Sequence, residues 1–171
     1  SWSGSKATSG TETITPSGVG FFNYGISCSG TGGSRSTSVG LEVYRQTDGV
    51  SVDGYIRGAE IFLDKNNNYV NDIGDEETTT SDNDGKFTIK YDDGNLISLG
   101  GFDLDTGNPL DNFLINQNLS GYSEFKVVTP VTSVASFLAD NTSVNNVLGI
   151  DNSIDVFTFD PVANKGDGGI Y

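Results

Sequence analysis

Asp64, Asn66, Asn68, Asp72 and Asp75 place oxygen-bearing side chains at short, regular intervals in the segment DKNNNYVNDIGD. In a twelve-residue calcium loop they take positions one, three, five, nine and twelve, and the Val70 carbonyl takes position seven. Such spacing turns successive oxygens toward one centre while the chain wraps around it. Calcium suits it, accepting about six to eight oxygens in loose geometry, whereas magnesium asks for a tighter octahedron. Zinc is poorly served, because the chain has no His and a single Cys, Cys28. The window from Asp64 to Asp84 holds seven acids against Lys65 alone, a density that repels itself unless a cation intervenes. A solvated acidic turn without an ion is the competing reading.

The loop departs from the helix–loop–helix type of calcium site in two respects. Tyr69 stands where a glycine would make the sharp turn, and Asp75 stands where a longer Glu would bind through both oxygens. Glu76 or Glu77 could replace Asp75 in that role. A second candidate cluster comprises Asp82, Asp84, Asp103, Asp105 and Asp111, of which Asp82 and Asp84 could also serve the first site. Turn capping by Asp explains this cluster nearly as well. The acceptor motifs Asn118-Leu119-Ser120 and Asn141-Thr142-Ser143 match N-glycosylation signals and are expected to be idle.

Composition excludes several functions. The 171 residues carry 9 basic and 23 acidic groups, a formal charge of -14, which offers no basic face to a nucleic acid. Without His there is no Ser-His-Asp or Cys-His nucleophile system. Paired carboxylates can hydrolyse glycosides without His, but here the acids lie in Asp/Asn/Gly turns with no apolar pocket to raise a pKa. No enzyme is expected. No apolar run reaches the roughly 20 residues of a membrane-spanning helix. Met is absent, its initiator included, as expected of a processed product or an excised segment.

Charge also divides the chain. Lys6, Arg35, Glu12 and Glu42 cancel within residues 1–44, so the whole net charge falls beyond them. A boundary is expected near Arg45–Val50, giving parts 1–45, 46–128 and 129–171. In the first part, Thr11–Thr15 reads as β-structure with Ile14 inward. Phe22, Tyr24, Ile26 and Cys28 share one strand face. The Gly-rich turn Ser29–Ser34 leads to a second strand, Ser36–Tyr44, with Val39, Leu41 and Val43 inward. This is a hairpin with one buried and one wet face.

The second part reads as strands Ser51–Arg57, Ala59–Leu63, Lys86–Tyr91, Leu96–Leu99, Phe113–Ile115 and Glu124–Thr129. Thr129 is a good N-cap with Pro130 at the first helical position. Val131, Val134, Ala135 and Leu138 then make one apolar stripe. Thr142 or Ser143 caps a second short helix bearing Val144, Val147 and Leu148, and Gly149 ends it.

Trp2, the run Tyr24-x-Ile26-x-Cys28, the small-residue hairpin and Ser38–Val43 together resemble the second half of a bacterial immunoglobulin-like domain. The resemblance implies that Cys28 sits on the sixth strand, that its disulfide partner lies upstream of Trp2, and that the first strands are missing. Either the polypeptide is cut from mid-domain, or another chain supplies the missing strands as in strand-donating pilus systems. Asp53-Gly54, Gly58-Ala59, Leu63-Asp64 and Asp82-x-Asp84-Gly85-x-Phe87 resemble the B-type repeat (Cna/Sdr-like, or carboxypeptidase-regulatory-like) sandwich of bacterial surface proteins. Some of those sandwiches carry a Lys–Asn crosslink from an early strand, but Ser51–Arg57 and Ala59–Leu63 contain no Lys.

The expected fold class is therefore mainly β: an incomplete immunoglobulin-like sandwich and a B-repeat-like sandwich with a short C-terminal helical segment. The expected role is structural: a calcium-stabilised subunit of a bacterial surface fibre, pilus-like filament or adhesin stalk. It would be extracellular and self-associating, with Phe22, Tyr24, Ile26 and Cys28 between subunits. The competing class is a monomeric adhesin module that binds a carbohydrate or protein receptor, with Tyr55, Tyr69 and Tyr122 as stacking candidates.

Overall fold

A computed structural model describes residues 4–117, 122–138 and 141–164. Trp2 and the Asn118–Ser120 acceptor lie outside them, as do the side chains of residues 141–143. The chain divides into two compact units, Ser1–Arg45 and Gln46–Tyr171.

The first unit is built on strands β1 (Gly20–Gly30) and β2 (Gly33–Val43). They pair antiparallel from Gly20↔Val43 to Gly30↔Gly33. This register sets Phe22 against Leu41 and Tyr24 against Val39, so the apolar residues of both strands share one face. The described residues before β1 form no strand. Thr11–Thr15 is therefore not β-structure, although Ile14 is half-buried and lines a groove with Tyr24, Ile26, Val39 and Leu41. The expected buried face is open too: Val39 is 65% exposed, and Ile26 and Leu41 are exposed as well. Two strands alone cannot enclose a core. Phe21 lies on the opposite face at 72% exposure. Its ring covers Gly40, where an added Cβ would meet it at 2.4 Å.

The second unit holds β3 (Gln46–Ser51), β4 (Ile56–Arg57), β5 (Glu60–Asp64), β6 (Thr78–Thr80), β7 (Lys86–Lys90), β8 (Asn95–Leu99), β9 (Phe102–Asp103), β10 (Phe113–Asn116) and β11 (Phe125–Val128). Helices α1 (Pro130–Phe137) and α2 (Asn141–Leu148) follow. One sheet has the order β10-β8-β5-β6, another the order β11-β3-β7, and β4 pairs with β9. Every pairing here is antiparallel except β11 with β3.

The main core lies between the two larger sheets. Ile61, Leu63, Leu96 and Leu114 from one meet Phe87, Ile89 and Val128 from the other, making a β-sandwich. The expected strand Ser51–Arg57 is instead broken by a turn at Asp53-Gly54. Gly54 has φ 69°, and a Cβ there would meet Asp103 Oδ1 at 2.2 Å. The strands β6 and β9, of three and two residues, are too short to leave a pattern in the sequence.

Helix α1 begins as its residues dictate. Thr129 accepts from the Thr132 amide, Thr132 returns the bond to the Thr129 amide, and Pro130 opens the helix. Val131, Ala135 and Leu138 of the expected stripe pack together, Val134 is exposed, and Thr132 and Ser136 are buried as well. The hydroxyls explain why. Thr132 Oγ1 lies 2.7 Å from Ile115 O, Ser133 Oγ accepts from Ile115 N, and Ser136 Oγ accepts from Gln117 N. The helix thus satisfies the open edge of β10 with polar groups. In α2, Val144 is buried but Val147 and Leu148 are exposed, and Gly149 at φ 68° ends the helix.

Candidate metal centre and open hairpin

The acidic loop joins β5 to β6, and its first residue is the last of β5. Asp64 is 0% exposed. Its Oδ1 accepts from Asn68 N at 3.2 Å and its Oδ2 from Tyr69 N at 2.9 Å. Two residues of the loop, Asn67 (φ 62°) and Tyr69 (φ 60°), adopt the left-handed conformation. It costs a non-glycine residue about 1 kcal/mol or more, and the two Asp64 bonds hold the backbone there. Tyr69 therefore makes the turn that the sequence assigned to a glycine.

Asn66 and Asn68 direct their amides onto one carboxylate, donating to Asp72 Oδ2 at 2.7 and 3.0 Å. Asn66 Oδ1 and Asn68 Oδ1 accept from the amides of Asn68 and Val70. Asp64, Asn66, Asn68 and Asp72 thus converge, as their spacing implies. Asp75 enters through its carbonyl, which accepts from Lys65 Nζ at 3.0 Å. The acid that closes the loop is Glu76, which is buried. Its Oε1 accepts from Lys65 N at 2.8 Å and its Oε2 from Asp72 N at 3.2 Å.

Charge around the loop is partly balanced. Lys65 Nζ pairs with Asp92 Oδ2 at 2.7 Å. That hydrogen bond is the main cause of a raised Lys65 pKa and a lowered Asp92 pKa. Lys90 pairs with Glu77 at 3.3 Å. Among the described residues, no three His, Cys, Asp or Glu side chains gather as a metal-holding group. The gathering at this loop is of mixed character, two amides with carboxylates. A calcium ion would need oxygens at these positions; the Asn66 and Asn68 groups turned to Asp72 are amide nitrogens.

Asp82 and Asp103 each cap their own turn. Asp82 Oδ1 accepts from Asp84 N and Lys86 N at 2.8 and 2.9 Å. Asp103 accepts from Asp105 N at 2.8 Å and from the Thr106 hydroxyl at 2.6 Å. The Thr106 bond is the chief cause of its lowered pKa. Asp84, Asp105 and Asp111 are exposed.

A buried lysine does exist, but it comes from a late strand. Lys126 on β11 is 4% exposed and lines a small interior cavity with Leu63, Ile89, Leu96 and Asn116. Burial is the main cause of its lowered pKa, and Asp155 opposes the shift. Nothing local in the sequence around Phe125-Lys126-Val127 distinguishes this residue from a surface lysine.

In the first unit, Phe22 and Tyr24 stack with ring centroids 6.5 Å apart. Cys28 is an exposed free thiol, although alternation puts it on the strand face expected to be buried. Among the described residues, β1 and β2 pair as strands only with each other.

No protein-family model matches the chain, and no curated protein matches it in sequence. A solved structure of the major pilin subunit of Bacillus cereus is similar over 68% of this chain, with 15% identity and a TM-score of 0.32. The match takes in 39% of that pilin's length. A likeness this slight carries no argument about the role of the chain.

Proposed function

We propose that the chain is a structural module of a bacterial surface fibre, pilus-like filament or adhesin stalk, extracellular, calcium-stabilised and joined head to tail by strand complementation. The hairpin carries this reading. Two eleven-residue strands in a sheet of their own, with exposed apolar residues on the face they share, make a template for another strand. A bound strand would extend the sheet beside β1 or β2, and its side chains would cover Phe22, Tyr24, Ile26 and Leu41. In the second unit α1 already satisfies the β10 edge. Calcium, held by Asp64, Asn66, Asn68, Asp72, Glu76 and the Val70 carbonyl, would neutralise the acidic loop and stiffen the module. The chain then acts as a load-bearing part, not an enzyme.

The test is assembly. Purified chain should form concentration-dependent polymers by size-exclusion chromatography and electron microscopy, and Ile26→Lys should abolish them while leaving the second unit folded. A chain that remains monomeric at every concentration, with β1 and β2 edge amides protected from exchange, would assign the cover to the same polypeptide and end the assembly reading.

One observation favours a second reading. Tyr69 and Phe113 stack with centroids 5.6 Å apart and both are exposed, a surface on which a sugar ring could lie. Saturable binding of a glycan by monomer would support a receptor-binding adhesin module instead.

A further inference from the structure

The two larger sheets of the second unit meet through apolar side chains, yet polar groups also face each other across that core. Toward one end of β3 they meet directly: Ser51 Oγ and Ser98 Oγ of β8 lie 2.7 Å apart, and both residues are buried. Toward the other end stand Thr47 on β3, Lys126 on β11 and Asn116 on β10, with exposures of 4%, 4% and 1%. Strand alternation aims all three inward. Thr47 is the cross-strand partner of Ile89, Lys126 shares a strand face with Val128, and Asn116 shares one with Leu114. Ile89, Val128 and Leu114 all belong to the main core.

Thr47, Lys126 and Asn116 line one cavity with Leu63, Ile89 and Leu96. The space in it open to a water centre is about 20 Å³, and a single water needs about 10–15 Å³ of such space. Asn116 Nδ2 spends both protons on Val127 O and Phe157 O, at 2.6 and 3.0 Å. Those two carbonyls fix the orientation of the amide. Asn116 Oδ1 is then buried with no hydrogen-bond partner among the described residues. Thr47 Oγ1 gives its proton to Ser123 O at 3.0 Å, and its lone pairs can still accept. The Lys126 ammonium carries three donors and no acceptor. Two acceptors and one donor thus surround room for one small molecule. A cation would be repelled by the ammonium and an anion by Asn116 Oδ1, whereas water has two protons and two lone pairs to match the set.

We propose that this cavity binds one water molecule, which accepts from Lys126 Nζ and donates to Asn116 Oδ1 and Thr47 Oγ1. Strand β10 belongs to one sheet and strands β3 and β11 to the other, so the water joins the two sheets at the end that Ser51 and Ser98 do not reach. It hydrates a lysine set among apolar side chains, and it satisfies a carbonyl that is otherwise costly to bury.

A crystal structure of the full chain, at a resolution that defines ordered waters, should show one peak within about 2.7–3.2 Å of all three atoms. In solution, oxygen-17 relaxation dispersion counts the waters that stay bound longer than the protein takes to tumble. The double variant Thr47→Val, Lys126→Met keeps the side-chain bulk and removes two of the three partners. It should lose one such water relative to the parent, with far-ultraviolet circular dichroism unchanged. Should the double variant fail to fold, Thr47→Val alone carries the comparison: the residence time of that water should shorten about fivefold, the weight of one hydrogen bond.

Electron density that joins Lys126 Nζ directly to Asn116 Oδ1, a water within reach of fewer than all three atoms, or a dry cavity overturns the proposal. An equal count of long-lived waters in the parent and the folded double variant overturns it too, as does an unchanged residence time in Thr47→Val.

Discussion

Ser133 Oγ accepts the Ile115 amide at 2.9 Å, so a helix side chain stands where a neighbouring strand would otherwise pair. Ser136 does the same for the Gln117 amide. A strand edge left open is a template for aggregation, and here hydroxyls on α1 close it.

The double substitution Ser133→Ala and Ser136→Ala should leave two amides of that edge without partners. Each hydrogen bond contributes about 1 kcal/mol, so stability should fall by about 2 kcal/mol, measured by urea denaturation. The variant should also associate through β10, seen as a concentration-dependent rise in mass by light scattering. A variant as stable and monomeric as the parent would show that α1 is held by apolar packing alone.

Asp64 supplies a second prediction, since it both ends β5 and begins the loop. Asp64→Ala removes the acceptor for two backbone amides and the first ion ligand together. In chelator it should cost about 2 kcal/mol by loss of those two bonds. In calcium the deficit should grow, because only the parent gains stability by mass action. Thermal melts of both proteins with and without chelator separate the two effects. Equal calcium-induced shifts in parent and variant would remove Asp64 from the ion site.

Local features were legible in the sequence, and features made by distant contacts were not. The loop from Asp64 to Asp72 could be read because its donors follow each other at two-residue intervals. Likewise, Thr129-Pro130 announces its own helix start. At the loop's end the sequence offers Asp75 with Glu76 or Glu77 as substitutes, because a fixed count cannot foresee that Asp75 turns its carbonyl to Lys65 and leaves the place to Glu76. The stripe Val131–Leu138 finds Val131, Ala135 and Leu138, which pack together, but misses Thr132 and Ser136, since hydroxyls are scored as polar although a bare strand edge needs them. The apolar cluster of Phe62, Ile97 and Ile115 draws on three strands, and only the register unites them. In the hairpin, alternation identified the apolar face correctly but could not say whether anything lies upon it.

Asn116 joins the C-terminal segment to the sandwich. Its Nδ2 donates to Val127 O at 2.6 Å and to Phe157 O at 3.0 Å, and the residue is fully buried. Asn116→Ala leaves a cavity and withdraws both donors, which should cost about 2–4 kcal/mol. Hydrogen exchange should show the region around Phe157 opening before the sheets do. Uniform loss of protection across the unit would mean that the segment is not a separable flap.

Lys126 makes stability depend on pH in a direction its burial fixes. Its pKa is lowered in the folded protein, chiefly by desolvation, so the unfolded chain holds this proton more tightly. The penalty for the charge is full below the folded pKa, shrinks as pH rises through the window up to the ordinary lysine value of 10.5, and vanishes above it. Lys126→Met keeps the aliphatic bulk without a charge. The variant should therefore melt higher than the parent at neutral pH, and the gap should narrow as pH approaches 10.5. Attraction to Asp155 opposes the effect, so Asp155→Asn in the parent background should widen the gap. A gap that stays constant from neutral to alkaline pH would mean that the Lys126 ammonium bears no desolvation penalty in the fold.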